Sequence, residues 1–425
     1  MPMVRKAPVT EPSAAYALSL LRLRGIGRRT VVSLLARFGN EAALRGATEA
    51  DVLSVAGKRA TQPLLDGLTE DWDRAREWAD LEVARHEQAG VQVVAFGSVS
   101  YPPLLAVAPD PPAVLYVLGS VDALSALLTV TVVGTRQPTM RGREIARRVA
   151  RRFAEAGAVV VSGLAAGIDT AGHEGALEIG RTVAVLGTAI DVVYPAENRA
   201  LARRIEKAGA LVSEYPIGFA SRSSAFAERD RIQAGLSLAI VPIQTGIKGG
   251  TQHTIRFAID ARRRVMCPRP VEAELHEPEN EGIVALIDGG QATPFEAADF
   301  PRLLDELPRL RAELLSAHLE PKPSSGPPPK LVGPASPRRK GKQQGSEGQT
   351  AWLLPDQTSA SSDSITRGFT EDPRPAAGSP TPIHTMDEVL AALDEALDRV
   401  GPGYDEAAFD AIIRRWRARR YPDHS

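Results

Sequence analysis

A chain of 425 residues exceeds the usual size of one domain, and its 43% apolar content fits a globular protein with more than one folded unit. Lysine and arginine number 51 against 52 aspartate and glutamate, so the net charge of -1 excludes a globally cationic binder of nucleic acid or membrane surfaces and leaves only local basic patches. One cysteine, Cys267, excludes an internal disulfide framework and a cysteine-based zinc site within one chain, and reads as a buried thiol in a reducing compartment.

The first stretch, MPMVRKAPVTEPSAAYALSLLRLRG, has no continuous apolar run ahead of a small-residue cleavage site, and no later segment offers about 18 uncharged apolar residues. A soluble, cytoplasmic protein with no membrane contact is expected. Residues 14–45 carry apolar positions at helical spacing on both sides of RGIGRR, which predicts helix, tight glycine turn, helix. A weaker copy follows in DVLSVAGKRATQPLLDGL, and DWDRAREWADLEVARHEQAG predicts a longer amphipathic helix up to Gly90. Residues 1–90 are therefore expected to form a helical domain of helix-hairpin-helix or SAM-like type. Within its turn, Gly25 and Gly27 would let backbone N–H groups approach a phosphate, with Arg24, Arg28 and Arg29 supplying charge. A turn that needs glycine for sterics alone fits the pattern equally.

From Val91 the pattern changes to short Val-rich runs alternating with helical stretches: VQVVAF, AVLYVLG, TVTVVG, AVVVSG, TVAVLG, ALVSEY, LSLAIVP and RVMCP. Apolar strands of this length, separated by glycine turns and helices, predict an α/β domain over 91–298: a Rossmann-like, doubly wound, mostly parallel sheet. A helical extension is expected at 299–320. Residues 321–382 are rich in Pro, Ser, Gly and Gln and predict a disordered linker. Residues 383–425 predict a small C-terminal helical module whose apolar face (Leu390, Leu393, Leu397, Phe409, Ile412, Trp416) suits docking better than catalysis.

Several strand ends carry chemistry. TVTVVG ends in Gly134, Thr135 and Arg136 ahead of a helix from about Gly142, which would present free amides and a positive helix end to an anion. The spacing is not GxGxxG, so a nicotinamide cofactor is not expected. Beyond it, Arg143, Arg147, Arg148, Arg151 and Arg152 surround an apolar stripe of Ile145, Val149 and Phe153 and read as a solvated face. Ser162 and Gly163 end the next strand, with Asp169 placed as a helix N-cap and His173 and Glu174 expected on the helix surface. Phe226 stands among Arg222, Arg229 and Arg231, a pairing that stacks a base while neutralising phosphate; a core phenylalanine beside a solvated helix start has the same composition. After LSLAIVPIQ, the loop TGIKGGTQHT brings Lys248, one of only four lysines before residue 320, together with Gly250 and Thr251. No cluster of acid, base and nucleophile and no metal-ligand spacing emerges, so no cofactor, no metal and no catalytic residues are expected.

The ordered motifs YPPLLAVAPDPPAVLYVLG, VVGTRQPTMRGREIA, VVVSGLAAGIDTAGHEGAL, TVAVLGTAIDVVYPAENRAL, ALVSEYPIG and AERDRIQAGLS closely resemble the DNA processing protein A (DprA/Smf) family over roughly 95–270, and over most of the first 300 residues with the helical start included. The resemblance implies a Rossmann-like domain that binds single-stranded DNA without sequence preference. It implies a homodimer that delivers the strand to a RecA-type recombinase in natural transformation or recombination, without enzymatic activity. Carried over by position, Arg136 and Lys248 would contact phosphates, Phe226 would stack a base, and Arg229 and Arg231 would line the groove. Gly134, Thr135, Ser162, Gly163, Gly250 and Thr251 would add backbone or hydroxyl contacts.

The chain departs from the family at Ala225-Phe226-Ala227, where Asn-Phe-Pro is usual, and at Arg229-Asp230-Arg231, where Arg-Asn-Arg is usual. Asp230 thereby adds an anion where DNA is expected. Lys248 to Thr254 replaces a Lys-Ser-Gly-Ser-Leu-Ile-Thr loop, and the winged helix of many members is not recognisable. Gly249-Gly250-Thr251 also resembles part of the PGGxGTxxE loop of LOG-type phosphoribohydrolases, without its glutamate. That likeness implies an alternative, a nucleotide-binding sensor with a signalling or defence role.

Overall fold

The computed structural model describes residues 11–317, all within one compact unit. The expected linker and C-terminal module lie outside the described residues.

Six helices come first: α1 (Ala14–Arg22), α2 (Arg28–Phe38), α3 (Glu41–Arg45), α4 (Glu49–Ala56), α5 (Lys58–Glu70) and α6 (Trp72–Gln88). Local chemistry starts them. Ser13 caps α1 by accepting from the Tyr16 N–H at 3.1 Å, and Thr48 with Asp51 forms a capping box on α4. The apolar stripe of α1 is fully covered, and Tyr16 meets Trp72 of α6 edge-on at 6.0 Å.

The sheet follows: β1 (Val91–Ala95), α7 (Pro103–Ala106), β2 (Val114–Gly119), β3 (Thr129–Val133), α8 (Met140–Glu155), β4 (Val159–Ser162), α9 (Ile168–Ala176), β5 (Thr182–Val185), α10 (Arg199–Ala208) and β6 (Ala210–Ser213). Then come α11 (Ser223–Leu236), β7 (Ala239–Pro242), α12 (Thr251–Asp260), β8 (Arg264–Pro268), α13 (Glu281–Asp288), β9 (Thr293–Phe295) and α14 (Phe300–Ser316). Strand order is β1-β2-β6-β5-β4-β3-β7-β8-β9. From β6 to β9 every pairing is parallel, whereas β2 joins β6, and β1 joins β2, antiparallel.

Central strands β3, β4, β5 and β7 are buried at every position because helices cover both faces, which is why they read as unbroken Val-rich runs. One face packs against α10 and the helical start, the other against α8, α9 and α14. Phe153 of α8, wholly buried against Phe300 of α14 at 4.9 Å, contributes about 2–3 kcal/mol to that second layer. Two expectations for α9 are corrected here. Gly167, not Asp169, precedes the helix, and His173 faces the core rather than solvent, with no exposed surface.

Candidate nucleic-acid interface

From β3 the chain runs through α8 to β4, β5 and β6 on one side, and from β7 it runs through α12 to β8 on the other. Loops leaving the neighbouring strands β3 and β7 therefore diverge and open a crevice at the sheet's carboxyl edge, the usual ligand position in an open α/β sheet. Gln244 ties the two lips together. Its carbonyl accepts from the Thr135 N–H at 2.7 Å, its Oε1 accepts from the Thr139 N–H at 3.0 Å, and its Nε2 donates to Thr139 Oγ1 at 3.1 Å. Thr139 in turn caps α8, accepting from the Gly142 N–H at 3.0 Å.

Arg136 is exposed on the β3 lip and Lys248 on the β7 lip, and among the described residues neither makes an ion pair. The Lys248 turn braces itself. The Gly246 carbonyl accepts from Thr245 Oγ1 at 3.1 Å, Gln252 Nε2 at 3.2 Å and the Gly249 N–H at 3.3 Å. Gly250 precedes α12 with open space where a side chain would stand, and Thr251, the first residue of α12, is buried. Gly134 and Thr135 serve the lip's shape: Gly134 lies against Ile168 and the Gln244 carbonyl, and the Thr135 carbonyl accepts from the Ile168 N–H at 3.2 Å.

Beneath the lips the floor is polar but closed. Arg229 donates from Nη1 to the Val185 carbonyl at 3.0 Å and from Nε to the Phe226 carbonyl at 3.3 Å, and pairs with Asp230 at 3.0 Å. Its guanidinium lies so close over Gly163 that any Cβ there would overlap it. Gln233, with its amide oxygen turned inward, accepts from the Gly163 N–H at 2.8 Å and donates to Asp230 at 3.1 Å. The Ser162 hydroxyl donates to the Val132 carbonyl at 2.6 Å. Burial pushes the Asp230 carboxyl up to about 7; the charges of Arg229 and Arg136 oppose the rise, and Asp169 adds to it. Burial also raises Asp169, and it pushes His173 down to about 3, helped by Arg229. His173 is therefore neutral, its Nδ1 2.8 Å from Thr182 Oγ1.

Phe226, in the first turn of α11, is half-buried above the end of β5, where a Cβ on Gly187 would stand 2.7 Å from its ring. Its outer side meets Tyr194 at 5.4 Å between ring centres.

Residues 92–305 match the family model described as DNA recombination-mediator protein A. The chain belongs to that family. Protein Smf of a Synechocystis strain is 38% identical over 210 residues, which cover 48% of this chain and 52% of that protein. DNA processing protein DprA of Bacillus subtilis is 33% identical over 227 residues, covering 53% and 74% respectively. The match thus spans only about half the length of the Synechocystis relative. The X-ray structure of DNA processing protein A from Streptococcus pneumoniae superposes with a TM-score of 0.56 at 25% identity, over 68% of this chain and 97% of that one.

Within this member of the DNA recombination-mediator protein A family, Arg231 sits away from the crevice, and Arg28, Arg229 and Ser162 are engaged by partners within the protein. Arg231 does not line the crevice: it is buried, paired with Glu214 and with Asp110 at 3.5 Å, and donates to the Asp110 carbonyl at 2.7 Å. Arg28 joins the same cluster, 2.5 Å from Asp110 and 3.8 Å from Glu214, so this one of the hairpin's cations is taken up by acidic partners within the protein. Arg229 and Ser162 lie near the crevice, but their polar atoms are consumed by its floor. Of the hairpin glycines, Gly25 (φ 75°) packs against Pro63 of α5, while Gly27 precedes α2 with open space beside it. The structure brings together Gly134, Thr135, Arg136, Gly163, Phe226, Lys248, Gly250 and Thr251 along one sheet edge.

Sequence reasoning missed Gln244 and Tyr194. Gln244 ends the run LSLAIVPIQ two residues past the end of β7, a polar residue at a strand's carboxyl end, which was signal enough. Tyr194 gave no signal, because a loop tyrosine acquires its meaning only from the Phe226 ring beside it.

Proposed function

We propose that the chain binds single-stranded DNA along this edge without sequence preference. It then delivers the strand to a RecA-type recombinase as a homodimer in natural transformation or recombination, with no chemical step of its own. The observation that carries the reading is the placing of two exposed cations without ion pairs among the described residues, Arg136 and Lys248, on the opposite lips of the β3/β7 crevice and joined through Gln244. Two such cations attract phosphates of any sequence, and an aromatic face farther along the same edge accepts any base. Family membership supports the direction, since the matched description and the Bacillus subtilis relative's name both speak of DNA.

Titrating the protein with a labelled thymidine oligonucleotide at two salt concentrations tests it. Affinity should fall steeply with salt, and Arg136→Ala or Lys248→Ala should each flatten the logarithmic slope by about 0.7. A thermal-shift panel separates the nucleotide-sensor alternative, because stabilisation by mononucleotides alone would replace the DNA reading. Co-sedimentation with recombinase filaments tests the hand-over.

A further inference from the structure

We infer that Tyr194 is a second base-stacking residue, forming with Phe226 a two-ring platform at the β5 end of the edge, opposite the cations at the β3 and β7 end. The inference rests on the single-strand reading and adds to it a residue and a direction.

Tyr194 is 54% exposed, its ring centre 5.4 Å from that of Phe226 at an interplanar angle of 56°. Its ring is open to contact, and its loop is not loose. On one side Thr188 Oγ1 donates to the Val192 carbonyl at 2.5 Å, Ser213 Oγ donates to the Thr188 carbonyl at 2.6 Å, and the Ile190 N–H donates to the Tyr215 carbonyl at 3.2 Å with Ile190 itself buried. On the other, Asn198 Nδ2 donates to the Leu164 carbonyl at 2.9 Å and to Thr170 Oγ1 at 3.0 Å. Tyr194 is therefore held between two fixed anchors while its ring stays in water. Such preorganisation lowers the ordering cost of binding.

Distance supplies the direction. Lys248 follows β7 and Tyr194 follows β5, three strand steps apart across β3 and β4. At roughly 4.8 Å per step that is about 14 Å, a length that several nucleotides would span. Phosphates would sit at Lys248 and Arg136 while bases at the other end cover Phe226 and then Tyr194.

The test compares a thymidine oligonucleotide with one of equal length whose sugars are abasic, using wild type, Tyr194→Leu, Tyr194→Phe and Arg136→Ala. Tyr194→Leu keeps an apolar side chain but removes the π-face. It should weaken binding of the base-bearing strand about fivefold and leave the abasic strand unchanged. Tyr194→Phe should match wild type, and Arg136→Ala should weaken both strands alike. Equal loss for both strands in Tyr194→Leu, or no loss while Arg136→Ala still weakens binding, would overturn the platform and leave the single-strand reading standing. Failure of the wild type to bind either strand would overturn both.

Discussion

Two arginine-bearing regions of this chain look alike on paper and differ in the fold. At the β3/β7 crevice, Arg136 and Lys248 stand exposed on braced loops with no ion pair among the described residues. At the junction of the helical start with the sheet, Arg28, Arg29 and Arg231 converge on Asp110 and Glu214. Cation count alone does not make an anion site. Arg231 and Glu214 are both almost wholly buried, and there a charge persists only with its partner.

That contrast can be broken by mutation. Arg231→Ala should have the largest effect, costing about 3 kcal/mol in chemical denaturation because buried Glu214 loses its close counter-charge and keeps only Arg28 at 3.8 Å. Loss of DNA binding without loss of stability would place Arg231 in the interface instead. Asp230→Asn comes next. The Asp230 carboxyl lies above the ordinary range, so the charged form is disfavoured in the folded state and native stability drains as pH rises from about 4 towards about 7. The Asp230→Asn variant should thus melt higher than wild type at pH 8, the gap closing as pH falls to about 4. It should also bind oligonucleotide several-fold more tightly at pH 8, an advantage that shrinks at about pH 6, where the wild-type carboxyl is largely protonated. A pH-independent difference would mean that this carboxyl does not act on the crevice electrostatically. Arg136→Ala and Lys248→Ala should lower affinity about five- to tenfold at low salt and leave the melting temperature unchanged. Arg29→Ala should have the smallest effect: its side chain is 80% exposed, so losing its contact with Asp110 should cost less than about 1 kcal/mol, as for other surface pairs.

The Asp169, Arg229 and Asp230 group lies between these two regimes. Two carboxyls flank one guanidinium below the crevice, and burial raises both of them. Asp230 is thus close enough to feel the charge of Arg136 on the lip, while Arg229 stays fixed to the backbone of Val185 and Phe226.

Much of this architecture was legible in residue pattern alone. The Val-rich runs announced a parallel sheet because burial on both faces removes the alternation of a half-exposed strand, and glycines at strand ends marked the loops holding Arg136 and Lys248. The antiparallel run of β1 and β2 was not legible, since β2 pairs with β6, a strand far later in the chain. The short strand Thr293–Phe295 was hidden by its proline. The fates of Arg229 and Arg231 were likewise invisible: close neighbours on α11, one caps the ends of β4 and β5 and the other reaches Asp110. Hydrophobic period and turn chemistry are local and so are written in sequence. Which cation stays in water depends on acidic groups brought near by the chain's long-range return, and that only the tertiary structure decided.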